Sequence, residues 1–104
     1  MTFTELLSKL PAAFNPDAAA GTNCVIQFNT STPGYATLKN GACSVSSGSA
    51  PNADVTITME DNDMVQLMMG ELNGMTAFMT GKLQVDGDLM LAQRMANFFD
   101  ATKL

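Results

Sequence analysis

The sequence predicts an α+β domain in which helices cover one face of a five-stranded, mainly antiparallel sheet. Five short segments alternate apolar with polar residues, which is typical of strands that have one covered and one solvent-exposed face. Helical patterns with capping residues lie before, between and after these segments, so we expect the helices on the covered face. The chain has 104 residues, the size of a single domain, and we assign residues 1–104 to it.

The first predicted element is a helix that begins close to the first residue. Thr2 and Glu5 fit a capping box, and Pro11 is expected to end or kink the helix. A second, short helix is expected from Asn15, a capping residue followed by proline, to Gly21. The apolar residues at helical spacing in the first helix are Phe3, Leu6, Leu7, Leu10 and Phe14.

Four of the five predicted strands follow this helical region, and turn signals separate them. Asn40-Gly41, between the second and third strands, is a strong signal for a tight hairpin. Residues 46–53 are rich in Ser, Gly and Pro, which predicts a loop. The segments whose alternation predicts strands are 24–29, 35–39, 43–45, 55–59 and 83–85.

Another helical region precedes the last strand. Glu60 or Asp61 can cap a helix that reaches Leu72, and Gly70 is expected to weaken its last turn. Asn73-Gly74 breaks this helix, and one further helical turn is expected over 75–79.

The final predicted helix has an unusually wide apolar surface. It is capped by Asp88 and is expected to continue to Phe99. Its apolar residues cover about half of the helical wheel, whereas a surface helix needs a stripe only somewhat wider than 100°. We expect Ala92, Ala96 and Phe99 to pack on the sheet, which leaves the other side for a different apolar contact. The arc consists of Leu89, Leu91, Ala92, Met95, Ala96, Phe98 and Phe99.

Methionine is confined to one part of the chain. Apart from Met1, all eight methionines lie between Met59 and Met95. Methionine is flexible and polarizable, so it fills gaps in a core and also serves at surfaces that adapt to varied apolar partners. Both interpretations remain open for this set. Together with the wide apolar arc, the set predicts an apolar cavity between the sheet and the helices.

Composition and charge argue against several classes of function. The net charge is −5 and the five basic residues are scattered, which argues against binding of nucleic acid or of an anionic membrane surface. No apolar run is long enough to span a membrane, and we predict no signal peptide. The chain has no His, and Cys24 and Cys43 fit no zinc or redox spacing. We therefore expect buried free thiols, and neither a metal nor a cofactor.

Three segments resemble the sterol carrier protein type 2 domain family. Residues 81–99, GKLQVDGDLMLAQRMANFF, are similar to its C-terminal pattern of a Gly-Lys-Leu strand, a Gly-Asp turn and a helix containing Leu-Ala. Residues 53–83 resemble the preceding region, and CVIQFNT at 24–30 with the Asn40-Gly41 hairpin fits the first half. The resemblance implies a stand-alone, bacterial-type member. It also implies an apolar tunnel between sheet and helices that binds fatty acids, fatty acyl-coenzyme A, sterols or phospholipids.

The resemblance and the apolar arc together define a predicted lipid-binding site without catalytic residues. Lys82 and Arg94 are candidates for contact with a carboxylate or phosphate head group, although lone basic residues are more often solvated. The residues predicted to line the site are Met64, Leu67, Met68, Leu72, Met75, Phe78, Met79, Leu91, Met95 and Phe98.

The preferred function is a non-catalytic intracellular carrier that holds a long-chain acyl lipid. An enzyme would need a nucleophile with a base, or a carboxylate pair in a pocket, and a helix start explains Asp61 and Asp63. The alternative is an interaction protein, either an accessory factor of a biosynthetic complex such as quinone synthesis or a dimerisation module. We expect a monomer or weak homodimer with transient membrane contact in the cytoplasm. The tripeptide Thr102-Lys103-Leu104 favours the peroxisome as the alternative location.

Overall fold

The computed structural model describes residues 2–104, with the exception of the side chain of Ala96. It confirms the α+β fold, in which four helices accompany one five-stranded sheet within this described part of the chain. The elements are α1 (Phe3–Ala13), β1 (Cys24–Asn29), β2 (Gly34–Lys39), β3 (Ala42–Ser47), β4 (Val55–Thr58), α2 (Asp61–Met68), α3 (Gly74–Met79), β5 (Gln84–Gly87) and α4 (Leu89–Arg94), with 3-10 turns at Met95–Phe98 and Ala101–Lys103.

The sheet has the strand order β3-β2-β1-β4-β5 and is mainly antiparallel, as predicted. The only parallel pair among the described strands is β1 with β4, where Ile26 lies opposite Val55. The hairpin between β2 and β3 turns at Asn40 and Gly41, whose φ angles are 54° and 75°. Two successive positive φ values are the mark of the tight primed turn that an Asn-Gly pair favours, so this prediction is confirmed.

Helix α1 begins as predicted but does not end at Pro11. The Thr2 side chain accepts a hydrogen bond from the backbone N–H of Glu5 at 3.2 Å, which caps the helix. The helix continues through Pro11 to Ala13. A proline in the last turn removes one backbone hydrogen bond near an end that already leaves its final carbonyls without helical partners. The carbonyl of Ala13 instead accepts from the N–H of Asp100 at 2.8 Å.

The short helix predicted from Asn15 to Gly21 is a turn. The Asn15 side chain accepts hydrogen bonds from the N–H groups of Asp17 and Ala18, so its capping role is present. Gly21, with φ of 75°, then reverses the chain before a second helical turn forms.

Two glycines terminate the short helices α2 and α3. Gly70, with φ of 80°, follows α2, and the N–H of Glu71 donates to the carbonyl of Gln66 at 2.8 Å. These bonds form a Schellman cap, so α2 ends at Met68. The prediction that it reaches Leu72 is wrong. Gly81 closes α3 with the same left-handed geometry.

The final helix is shorter than predicted. Asp88 caps α4 by accepting from the N–H of Leu91 at 3.1 Å, as expected. The α-helix ends at Arg94, and residues 95–98 form a 3-10 turn. The end of α1 holds this segment, since the N–H of Asn15 donates to the carbonyl of Phe98 at 2.7 Å. The Phe99 ring packs on Phe14 with centroids 5.9 Å apart.

The core lies between the sheet and the helices. Phe3 of α1 and Phe28 of β1 are both buried, with ring centroids 5.7 Å apart. Gln27 is also buried, although the alternation predicted it on the solvent-exposed face. The loop over 48–50 covers it there, because its amide donates to the carbonyl of Gly48 and accepts from the N–H of Ala50.

Candidate functional site

An apolar cavity of about 470 Å³ lies between the sheet and helices α2, α3 and α4. Its volume falls within the range of about 300–1,000 Å³ that is typical of small-molecule sites. Among its lining residues Gly70, Met75, Phe78, Leu89 and Gln93 are solvent-exposed, so they mark its mouth. The lining consists of Ile57, Leu67, Gly70, Leu72, Gly74, Met75, Phe78, Leu83, Val85, Leu89, Ala92, Gln93 and Met95.

The helix caps and the strand pairing position this lining. Ile57 of β4 and Val85 of β5 lie opposite each other in the sheet register and form the floor. The Asn73 side chain accepts from the N–H of Thr76 at 3.1 Å and starts α3, which brings Met75 and Phe78 to the mouth. The cap of α4 directs that helix across the same floor, so three short helices surround one hydrocarbon-lined space.

Five of the ten predicted lining residues line this cavity. They are Leu67, Leu72, Met75, Phe78 and Met95. Met79 is exposed and does not line the cavity. The other four are buried in the core outside the lining: Met64, Met68, Leu91 and Phe98. Contact of any of the ten with a lipid stays a prediction.

Several lining residues were not predicted. Ile57 and Val85 face the cavity from the sheet, and the alternation that identified their strands could have assigned them to it. Ala92 was expected to pack on the sheet, and it lines the space between α4 and the sheet. Ala96 had the same expected role, but its side chain lies outside the described residues.

An exposed apolar rim accompanies the mouth of the cavity. We use this name for the large apolar side chains of α3 and α4 that are at least about half exposed. Three of these side chains, Met75, Phe78 and Leu89, also line the cavity, so they form the part of the rim that lies at its mouth. The rim consists of Met75, Phe78, Met79, Leu89 and Met90.

A larger polar groove of about 860 Å³ lies where β1 and β4 end and α2 begins. It contains Lys82 together with the acidic residues Glu60, Asp61 and Asp63. Asp61 accepts hydrogen bonds from the hydroxyl and the N–H of Ser31, and these bonds lower the pKa of its carboxyl. Water solvates such charged side chains well, so this groove is a poorer site for a hydrocarbon than the apolar cavity.

The two cations that were candidates for head-group contact lie outside the cavity lining. Lys82 lies in the polar groove. The Arg94 guanidinium lies over the ring of Phe98, 5.5 Å from its centroid, which is within the range of a cation–π contact.

Reactive groups are scarce in the described part of the chain. Cys24 and Cys43 are both free, and burial raises the pKa of each thiol to about 11. Such thiols stay protonated at neutral pH and are poor nucleophiles. Residues 2–104 contain no group of His, Cys, Asp and Glu side chains that could hold a metal ion. Within the same range, no helix is long and apolar enough to cross a membrane.

Known proteins share both this sequence pattern and this fold. Bovine sterol carrier protein 2 is 47% identical over 60 residues, which are 58% of this chain and 11% of that protein. The chain therefore spans about a tenth of the length of this relative. The solution structure of palmitated SCP2L2 from Aedes aegypti has a TM-score of 0.73 and 25% identity, and the match covers 93% of each chain.

A structure named UbiJ-SCP2, a ubiquinone synthesis protein, shares the fold alone. Its identity is 18% and its TM-score is 0.72, with 92% of this chain and 86% of that one covered. The model of the SCP-2 sterol transfer family matches residues 3–100 of the present sequence. Because this match covers almost the whole length, the chain belongs to the SCP-2 sterol transfer family.

Proposed function

We propose that this domain is a non-catalytic carrier that holds the hydrocarbon chain of a long-chain acyl lipid in the apolar cavity. The observation that carries the proposal is the lining itself. Twelve of its thirteen residues are glycine or have apolar side chains. No buried side-chain N or O atom within the described residues lacks a hydrogen-bond partner, and Gln93 of the lining is solvent-exposed, so a hydrocarbon below the mouth meets no unsatisfied buried side-chain polar atom.

The expected driving force is the transfer of methylene groups from water. Each buried methylene contributes about 0.8 kcal/mol, so a 16-carbon chain has a gross driving force of about 12 kcal/mol before the losses of ordering. A long chain therefore binds without a specific polar contact, whereas three or four methylenes do not. The free thiols are protonated at neutral pH and the sequence contains no His, which favours a carrier over an enzyme.

A pair of methionine variants tests the carrier function. Met75 lines the cavity and is 60% exposed, whereas Met90 lies on the rim, is 72% exposed and is not among the lining residues. Met75→Asp should weaken binding of a fluorescent fatty acid at least tenfold, since a charge at the mouth costs the hydrocarbon its apolar contact. Met90→Asp should bind within about twofold of the parent protein. Equal affinities for Met75→Asp and the parent, with intact folding, would reject the cavity as the binding site.

The alternative function is that of an accessory or dimerisation module, and the exposed rim favours it. The exposed apolar side chains of the rim can bury against a partner protein or a second copy. The UbiJ-SCP2 structure, whose name refers to ubiquinone synthesis, shares the fold. Native mass spectrometry distinguishes the two functions. A monomer that carries lipid supports the carrier, whereas a stable dimer without lipid supports the interaction module.

The rim also supports transient contact with a membrane during lipid exchange. We propose that this exchange takes place in the cytoplasm. Because the net charge is −5, we propose that the contact is with zwitterionic lipid rather than anionic lipid. Co-sedimentation with phosphatidylcholine vesicles should decrease in Met90→Asp, which leaves the cavity lining intact. Retention of full vesicle binding by this variant would remove the rim from the contact.

A further inference from the structure

We propose that Met75 is a site of reversible oxidative modification, and that conversion of its thioether to a sulfoxide by a peroxide weakens lipid binding in the apolar cavity. The inference rests on the proposed lipid-carrier function and adds a control of that function. It combines two observations on the methionines, which are how far water reaches each side chain and which of them line the cavity.

The first observation is the exposure of the methionine side chains. Met75, Met79 and Met90 are 60%, 79% and 72% exposed, so a peroxide dissolved in water can contact all three. The five other methionines of the segment 59–95 are much less exposed, and the surrounding protein shields them. They are the buried Met59, Met64, Met68 and Met95 and the half-buried Met69.

The second observation is that one of the three exposed methionines lines the cavity. Among the methionines that the structure describes, Met75 and Met95 belong to the lining. Met95 is 1% exposed, so the protein covers it, whereas Met75 lies at the mouth in the first turn of α3. Met75 is therefore the one methionine of the described residues that both a dissolved peroxide and a bound hydrocarbon chain can contact.

The chemistry needs only the peroxide as co-reactant. The sulfur of Met75 attacks one oxygen of hydrogen peroxide, so that the O–O bond breaks and an S–O bond forms. The proton of the transferred hydroxyl passes to the leaving hydroxide, which becomes water. Sulfur loses two electrons and the peroxide gains them. Methionine sulfoxide reductases reverse the change, so the modification can be removed.

The sulfoxide weakens lipid binding even though the side chain stays at the mouth. Oxidation converts a flexible apolar side chain into a polar one. If the sulfoxide keeps its hydration, it turns away from the cavity and Met75 gives up its apolar contact with the bound chain. If it turns inward, it loses water among apolar side chains. Both orientations lower the affinity for a hydrocarbon.

The experiment treats the lipid-free protein with hydrogen peroxide and follows each methionine by peptide mass spectrometry. Met75, Met79 and Met90 should each gain one oxygen before any buried methionine reacts, and the treatment is stopped at that point. The affinity for a fluorescent fatty acid should then be about three- to tenfold lower, with an unchanged far-UV circular dichroism spectrum. Incubation with both methionine sulfoxide reductases, one for each sulfoxide epimer, should restore the affinity.

Matched leucine variants identify Met75 as the site, because leucine has a similar volume and is not oxidised by peroxide. Met75→Leu should have the same affinity before and after the treatment, within about twofold. The double variant Met79→Leu, Met90→Leu keeps Met75 and should lose affinity as the parent protein does.

Three outcomes would overturn the role of Met75. The first is an unchanged affinity in parent protein whose Met75 is fully oxidised, the second is an equal loss of affinity in Met75→Leu, and the third is oxidation of Met95 before Met75. Failure of the untreated protein to bind the fatty acid would instead reject the lipid-carrier function on which the inference rests.

Discussion

The two halves of this domain use apolar residues in opposite ways. In the first half, residues 3–58, the largest apolar side chains are buried in a continuous core, and within its described residues none of the large ones is exposed. In the second half, residues 59–104, five large apolar side chains are exposed on α3 and α4. We call the first half the scaffold and the second half the wall.

The difference between scaffold and wall follows from how each is built. The scaffold contains the 11-residue helix α1 and the strands β1 to β4, which are neighbours in the sheet. Backbone hydrogen bonds between these strands therefore hold the scaffold together. The wall contains strand β5 and helices of eight, six and six residues, and two of these helices are terminated by glycine. Helices this short depend on tertiary packing for their stability. The domain therefore combines a core built on a long helix and four paired strands with short helices that depend on their packing against the sheet.

The largest expected effect comes from removing one aromatic ring from each half. Phe28 of the scaffold is 0% exposed, and Phe78 of the wall is 46% exposed and lines the cavity. Phe28→Ala should lower the free energy of unfolding by about 3–5 kcal/mol through cavity formation. Phe78→Ala should lower it by less than about 1 kcal/mol and should weaken lipid binding. Urea denaturation gives the two free energies, and similar losses would remove the distinction between scaffold and wall.

The next largest effect is expected at a glycine of β5, where this strand of the wall contacts the scaffold. Gly87 of β5 has a φ of 106°, and a Cβ atom there would lie 2.5 Å from the carbonyl oxygen of Asp54. Gly87→Ala should destabilise the domain by about 2–4 kcal/mol, because left-handed strain and a backbone clash add. Gly48 has a φ of 95°, and a Cβ atom at that position would have no neighbouring atom within 4 Å.

Gly48→Ala is the matched control for this variant, since it has the strain without the clash. It should lose about 1–2 kcal/mol in the same urea titration. If both alanine variants unfold at the same urea concentration, close packing of β5 on Asp54 does not hold the wall to the scaffold.

The scaffold could be predicted from the sequence largely because its signals are local. The Asn40-Gly41 pair fixes its own hairpin, and Thr2 caps the helix that follows it directly. The end of the final helix depends instead on a hydrogen bond between Asn15 and Phe98, which are far apart in sequence. No local pattern contains that information.

The lining of the cavity was harder to predict for a geometric reason. A helical wheel at 100° per residue describes α4, but the 3-10 turn over 95–98 rotates by about 120° per residue. Over four residues the two geometries diverge by about 80°, and Phe98 is buried in the core. A wheel also describes only helices, so it omits Ile57 and Val85 of the sheet.

Alkaline pH should affect the scaffold through its two thiols. Burial raises the pKa of Cys24 and of Cys43 from 9.0 to about 11. Between pH 9 and pH 11 the folded state keeps protons that the unfolded state releases. The contribution of the protonated thiols to the free energy of unfolding is therefore fully present below pH 9. It is lost as the pH rises towards 11, by at most about 1.4 kcal/mol per pH unit for each thiol.

The double variant Cys24→Ala, Cys43→Ala separates the thiols from the other groups that titrate in this range. Urea midpoints measured from pH 8 to pH 10.5 should fall less steeply in this variant than in the parent protein. The same slope in both proteins would show that the folded state does not hold these thiols protonated.

The smallest expected effect is at acidic pH and concerns the contact between α2 of the wall and the loop after β1. The Asp61 carboxylate accepts hydrogen bonds from the hydroxyl and the N–H of Ser31, and both bonds lower its pKa from the usual value of 3.8. A carboxyl with a lowered pKa stabilises the folded state above its unfolded pKa, and this contribution is lost as the pH falls through the folded pKa. Asp61→Asn should therefore reduce the loss of stability between pH 5 and pH 2.

Asp63→Asn is the control for charge, because Asp63 lies in the same first turn of α2 and has no hydrogen bond to Ser31 among those of the described residues. Both variants remove one negative charge near a helix N-terminus, so any change they share reports the helix dipole. A smaller acid sensitivity in Asp61→Asn alone assigns the effect to the Ser31 contact, which joins a scaffold loop to the wall. Equal acid sensitivity in the two variants would mean that the Ser31 contact adds nothing to stability beyond the effect of the charge.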